Sequence, residues 1–144
     1  MNSQHLIPGQ LLPHRGRMLF IDSIDRIEST HAMTHSVVRP DNPFLETDVL
    51  NRCALIEYMA QTVAALQGHR FLKDGGPVRV GFLIGIDRFE VTHETKVTTG
   101  TTLTVSIDEL SASGDFGSYA CEVRCGDITL ATGIVKVFSS GDSA

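Results

Sequence analysis

The sequence has no tryptophan, three cysteines, and no run of lysine and arginine anywhere in its 144 residues. Each shortage excludes something. Cys53, Cys121 and Cys125 are odd in number, contain no CxxC pair and have no histidine at zinc-ligand spacing. They are therefore expected to be reduced, structural thiols rather than a disulfide framework or a zinc site. A formal charge of −5 without a basic cluster argues against non-specific nucleic-acid binding, which depends on grouped cations facing phosphates. No apolar run approaches the roughly 20 residues of a membrane span. The opening MNSQHLIPGQ has neither a basic start nor a signal-length apolar stretch, so a soluble, cytoplasmic protein is expected. No glycine-rich phosphate loop follows a strand and no ligand cluster recurs, so neither a nucleotide, a flavin nor a metal is expected.

What is present is ordinary and foldable: 42% hydrophobic and 20% charged residues, which is not the composition of a disordered chain. The length suits a single domain, expected over residues 1–138, with 139–144 as a flexible tail. After a turn-rich lead-in, residues 18–30 are dense in β-compatible apolar side chains. Residues 31–39 alternate, with Met33, His35 and Val37 on one face and Thr34 and Ser36 on the other. Pro40, Asn42 and Pro43 end that strand. Residues 51–71 carry Ala54, Leu55, Tyr58, Met59, Thr62, Val63 and Leu66 at helical spacing, with Asn51 as N-cap and Gly68 or the Gly75-Gly76-Pro77 cluster as terminator. The helix is apolar nearly all round, which marks a buried one. Strands follow: 78–91 with a bend at Gly85, then a stretch alternating through Leu103, Val105 and Ile107. A further one alternates through Tyr119, Cys121, Val123 and Cys125. Gly126-Asp127 reads as a two-residue hairpin turn into 128–138, with a bulge near Gly133 where the alternation slips. An antiparallel sheet wrapped round one helix follows, an α+β arrangement.

Three segments resemble a known family. LLPHRGRMLFID, from Leu11 to Asp22, is similar to the amino-terminal LPHR signature of the hotdog-fold 3-hydroxyacyl-[acyl carrier protein] dehydratases. ALIEYMAQTVAAL, from Ala54 to Leu66, is similar to their central helix, whose glutamate is catalytic. VGFLIGIDRFEV and the later Gly100-x-x-Leu103 resemble the third strand and the turn after it. The EYMAQ helix and the Asn42-Pro43-Phe44 loop are most like those of the dehydratase-like subunits of aryl polyene biosynthesis. The resemblance implies a hotdog fold of about five to six strands round one long central helix. It also implies a substrate carried on the phosphopantetheine arm of an acyl carrier protein or on coenzyme A, no resident cofactor, and a dimer. The sequence departs from the family in one loop: where its GHFPG histidine belongs stands Pro43, and where its oxyanion-hole glycine belongs stands Arg52.

Loss of water from a 3-hydroxyacyl thioester requires a base for the C2 proton and an acid for the departing C3 hydroxyl. A carboxyl in an apolar wall can supply that acid, and helix N-terminal N–H groups can hold an enolate oxygen. Glu57, about two turns inside an apolar helix, is expected to be the acid. Cys53, Ala54, Ala60 and Ala64 leave a shallow lane beside it, and Gln61 one turn on can orient it. The base has three candidates. They are His14 in the LPHR segment, His35 on its strand, where a core role competes, and a histidine contributed by a second, related chain. The resemblance places Leu12, Pro13, Asn42, Pro43, Phe44, Arg52, Cys53, Gln61, Phe82 and Leu83 along the substrate, and Arg15, Arg17, Arg52, Arg70 and Arg79 are candidate phosphate contacts. Two other readings stay open: a non-catalytic or half-site subunit of a heterodimeric dehydratase, and a hotdog acyl thioesterase in which the helix carboxylate activates water.

Overall fold

A computed structural model describes residues 6–75 and 81–139. One six-stranded antiparallel sheet, in the order β1-β2-β6-β7-β8-β5, curves round a single long helix. The strands are β1 (Ser23–Ile27), β2 (His31–Val37), β5 (Gly81–Val91), β6 (Thr102–Ser113), β7 (Phe116–Cys125) and β8 (Ile128–Ser139); the helix, α2, is Ala54–Lys73. A four-residue helix α1 (Pro8–Leu11) and a 3₁₀ turn (Gly16–Met18) precede the sheet, and a two-residue hairpin, β3 (Leu45–Glu46) with β4 (Val49–Leu50), precedes α2. The expected α+β hotdog architecture is thus present, with the minor hairpin and the short lead-in helix added to it. That hairpin turns on Thr47 and Asp48, both at positive φ, as a two-residue turn requires.

The core is the concave side of the sheet. Leu103, Val105 and Ile107 of β6 and Cys121 and Val123 of β7 alternate inward as the period of two demands, and all are buried. Leu55, Tyr58, Met59, Thr62, Val63 and Leu66 of α2 pack onto them. On β2 the inward face is Ala32, Thr34 and Ser36, the reverse of what the apolar pattern suggests. The helix packs on this face through Thr62, which meets Thr34 of β2. The Thr34 and Thr62 hydroxyls bond each other at 2.9 Å, and Thr62 also donates to the Tyr58 carbonyl. Met33, His35 and Val37 face outward, so His35 is not a core histidine; it pairs with Asp25 of β1.

Several expected boundaries shift. Residues 18–30 are a 3₁₀ turn, an extended connection and only then β1. Gly68 does not stop α2, which continues to Lys73 and ends at Asp74 and Gly75, the glycine at φ +80°. Gly68 lies instead where the Leu11 carbonyl presses on the helix; a Cβ there would sit 2.1 Å from that oxygen. The Gly126-Asp127 turn is as expected, with Gly126 at positive φ. The bulge in β8 falls at Leu130, not at Gly133: Ala131 opposes Val123 and Thr129 opposes Arg124, so Leu130 is the extra residue. Strand β5 breaks register between Leu83 and Gly85, where Ile84 is the extra residue beside the expected bend, and again between Asp87 and Glu90; Val78, Arg79 and Val80 lie outside the described residues. Ser139, assigned to the tail by sequence, closes β8, is buried, and donates its amide to the Asp115 carbonyl.

Candidate active site

The lead-in segment is fastened across α2 at two places, and His14 lies between them. Leu11 and Leu12 are buried in the core and the Leu11 carbonyl rests on Gly68. Further along, the buried Gln61 carboxamide accepts from the Phe20 amide at 2.9 Å and donates to the Met18 carbonyl at 2.7 Å. Between them Gly16, at φ +61°, turns the chain back on itself, and Arg15 Nη1 donates to the Leu12 and His14 carbonyls. The result sets the His14 ring against α2.

There His14 Nε2 lies 3.3 Å from Glu57 Oε2, each side chain a little over a quarter exposed (28% and 27%). Gln61 Nε2 donates to the same oxygen at 2.9 Å. Oε2 therefore receives both neighbours, while Glu57 Oε1 has no protein hydrogen bond among the described residues. The other ring nitrogen, His14 Nδ1, is buried and meets no partner among the described residues.

Glu57 is not as deep in the helix as expected. Helix α2 begins at Ala54, so the carboxyl belongs to its first turn, where the helix dipole favours negative charge. The N-terminal N–H groups do not form an anion site either. Asn51 accepts the Cys53 amide through its side chain and the Ala54 amide through its carbonyl; Leu55 and Ile56 donate to the Arg52 and Cys53 carbonyls. The N-cap is Cys53, not Asn51 as expected, because the helix starts at Ala54; Asn51, two residues earlier, still accepts the Cys53 and Ala54 amides. Arg52 turns away and donates to the Glu94 carbonyl at 2.9 Å.

The remaining sequence candidates divide clearly. Cys53, Pro13 and Pro43 are exposed, and Phe44 is partly so, its ring edge-on to Phe20 at 5.8 Å. Leu12 is a core residue and cannot line an open channel. Asn42 is structural: its amide donates to the Tyr58 hydroxyl at 3.0 Å and its carbonyl oxygen accepts the Phe44 amide. Tyr58, next to Glu57 in sequence, points into the core, where burial, with Asp22 adding to it, pushes its phenol up to about 12. It holds its proton and is no base. Leu83 is exposed on β5, the sheet's edge strand, and Phe82 stands beside it opposite Phe138 in register. Arg70 is occupied by Glu109, Tyr119 and the Ser29 carbonyl, so it is a tie between α2 and the sheet rather than a phosphate contact. Arg79 lies outside the described residues. Arg17, in the 3₁₀ turn beside Met18, is exposed and has no ion-pair partner among the described residues. A groove of about 970 Å³ lies elsewhere, between β1 and the C-terminal end of α2, and includes neither His14 nor Glu57. The sequence missed one feature of the site: Gln61 also fastens the lead-in. A glutamine among apolar helix residues has several polar atoms to satisfy, and that was the available signal.

Over residues 7–144 the chain matches the ApeP-like dehydratases, described as ApeP dehydratase. This chain belongs to the ApeP-like dehydratase family. A 3-hydroxyacyl-[acyl carrier protein] dehydratase-like role in aryl polyene biosynthesis follows from that membership, in agreement with the reading of the LPHR and EYMAQ segments. Among solved structures the chain is similar to the dehydratase heterocomplex ApeI:P of Xenorhabdus doucetiae, with a TM-score of 0.89 and 23% identity over 97% of this chain and 95% of that one. It is also similar to Cj0977, a sigma28-regulated virulence protein of Campylobacter jejuni, with a TM-score of 0.68 and 12% identity over 94% and 88%. A third similar structure is the E. coli PaaI protein of the phenylacetic acid degradation operon, with a TM-score of 0.62 and 14% identity over 80% of each chain. At these identities the structural likenesses establish the hotdog fold alone. No curated protein matches the chain. Among the described residues no helix is long and apolar enough to cross a membrane, and no group of side chains is placed to hold a metal.

Proposed function

We propose that this chain is the glutamate-bearing half of a two-subunit dehydratase, in which Glu57 protonates the departing C3 hydroxyl of a carrier-bound 3-hydroxyacyl thioester. In that reaction a base takes the C2 proton, the electron pair forms the C2–C3 double bond, and the C3–O bond breaks. The hydroxyl leaves as water with the proton from Glu57. The observation that carries the reading is the Glu57 carboxyl, fixed through Oε2 and open at Oε1. A fixed, partly exposed carboxyl is suited to proton transfer.

The second group comes from elsewhere on this reading. His14 Nδ1 is buried and its Nε2 lies against Glu57, His35 is on the far face of the sheet with Asp25, and Pro43 occupies the family's histidine position. The molecule also has a surface for a companion. Strand β5 pairs only with β8 and exposes Leu83, Ile84 and Val91 along its length. An edge strand with exposed apolar side chains is a site for chain pairing. The companion we propose is a related hotdog chain that carries the histidine, and the substrate an acyl-carrier-protein thioester delivered through its phosphopantetheine arm. That the similar Xenorhabdus protein is a heterocomplex agrees with this reading.

The test is turnover of a 3-hydroxyacyl-carrier-protein substrate, followed by absorbance of the enoyl product, for this chain alone and with the histidine-bearing chain. Activity that requires both chains is expected. Full turnover by the lone chain would overturn the half-site reading. Release of free thiol in place of enoyl product would favour a thioesterase.

A further inference from the structure

We infer that His14 is a positioning residue whose Nε2–H holds Glu57 Oε2, so that the working proton of Glu57 resides on Oε1, and that His14 is not the base of the reaction. The inference rests on Glu57 being the acid, as proposed above, and assigns atoms within that site.

Three observations lead to it. First, His14 Nε2 is aimed at the carboxyl at 3.3 Å, and Gln61 Nε2, which can only donate, reaches the same oxygen at 2.9 Å. An oxygen that already accepts from Gln61 and has the His14 ring nitrogen 3.3 Å away is the poorer place for the acid proton, which leaves Oε1. Second, His14 Nδ1 is buried without a partner among the described residues, so it can neither take a proton from a substrate nor pass one on to solvent. A histidine base needs its lone pair facing the substrate, and here one nitrogen faces Glu57 while the other faces protein. Third, the ring is held by backbone on both sides: Leu11 rests on Gly68, and Met18 and Phe20 are tied to Gln61. Its orientation is thus set by the same glutamine that fixes the carboxyl.

The chemical consequence concerns the charge that appears on Glu57 as Oε1 gives up its proton. The Gln61 N–H already bonded to Oε2, with the His14 ring nitrogen beside it, stabilises that charge without having to reorient during the reaction. The other polar side chains of this segment do not compete for Oε2: Arg15 is turned back to the Leu12 and His14 carbonyls, and Tyr58 faces Asn42.

The choice of His14 substitution separates donor from base. Glutamine can place an amide N–H near the Nε2 position but cannot act as a base at neutral pH. Removal of one preorganised donor typically lowers kcat roughly 10²-fold. In the two-chain complex, His14→Ala is expected to lower kcat by about that factor with KM nearly unchanged, and His14→Gln to restore activity to within about tenfold of the parent. If His14→Gln is as inactive as His14→Ala, with both variants folded and assembled, the donor assignment is wrong. A Glu57→Gln complex that keeps full activity would instead sink the underlying reading of Glu57. A readout independent of turnover is the ¹⁵N shifts of the His14 ring in the free chain. A proton on Nε2 is expected, and a ring protonated only on Nδ1 would overturn the assignment.

Discussion

Gln61→Leu should damage this protein more than a near-isosteric change at a buried site ordinarily does. The side chain is fully buried and makes three hydrogen bonds: to the Phe20 amide, the Met18 carbonyl and Glu57 Oε2. Leucine fills the space but leaves the Phe20 N–H and the Met18 carbonyl without their partner. Each buried group left unpaired costs roughly 1–3 kcal/mol, and Met18 lies at the low end because it is partly exposed and water can replace the bond. The sum is about 2–4 kcal/mol, which at roughly 4 °C per kcal/mol for a chain of this length lowers Tm by about 8–16 °C. The assay is reversible urea or thermal unfolding by circular dichroism, with coincidence of two probes to establish a two-state transition. Gln61→Glu is the informative companion, since it keeps an acceptor for Phe20 but loses the donor and sets a second carboxyl against Glu57. A Gln61→Leu protein within about 0.5 kcal/mol of the parent would refute the claim that Gln61 fastens the lead-in.

Other changes follow from the same contacts. Gly68→Ala puts a Cβ 2.1 Å from the Leu11 carbonyl, so α1 must move; a loss of about 2–4 kcal/mol is expected in the same unfolding assay. Thr62→Val strands the buried Thr34 hydroxyl and should cost about 1–2 kcal/mol, whereas the double change Thr34→Val with Thr62→Val should cost less than the single one, a sign that a double-mutant cycle reads directly. Of the three thiols, exposed Cys53 should react first with a disulfide reagent at pH 8. Cys121 should react only on unfolding, because burial pushes its thiol up to about 12 and access is closed. Labelling of Cys121 in the native protein at the rate of Cys53 would contradict the packing described.

Much of the fold is legible in the residues because the pattern and the packing agree. Leu103, Val105 and Ile107 alternate and all face the core; the α2 residues at helical spacing are all buried; Gly126 turns a hairpin at positive φ. The sequence misleads where packing reverses the polarity rule. On β2 Thr34 and Ser36 go inside, Thr34 bonded to Thr62 of the helix, and Met33 and Val37 outside, which a hydrophobic pattern cannot reveal. Of the two helix stops the sequence offers, Gly75 is the one used; Gly68 is instead a contact made by a carbonyl distant in sequence, visible only once α1 is in place. The bulge at Leu130 and its misreading at Gly133 differ by a local pairing choice that alternation locates only to within a few residues.

The site was half legible for a similar reason. A glutamate in an apolar helix stands out, and so does a histidine in the LPHR segment. Their contact at 3.3 Å is a long-range product of the lead-in folding over α2, and no spacing rule encodes it. That contact also changes the meaning of both residues. With the ring beside the carboxyl, the histidine that reads as a candidate base is a positioning residue on the inference above, and the carboxyl is no isolated buried acid but one bonded by Gln61 and flanked by His14. The Arg52 departure is likewise clarified: its guanidinium faces the Glu94 carbonyl, and the helix start it belongs to has its N–H groups already bonded.

The most direct test is the rate of enoyl formation from a 3-hydroxyacyl-carrier-protein substrate by the two-chain complex carrying Glu57→Gln, beside the unaltered complex and with assembly checked by gel filtration. A fall in kcat of roughly 10²–10⁴-fold with the complex intact is expected, the usual cost of losing a general acid. A Glu57→Gln complex that turns over at the parent rate would contradict it, and would leave this chain a structural companion to its partner.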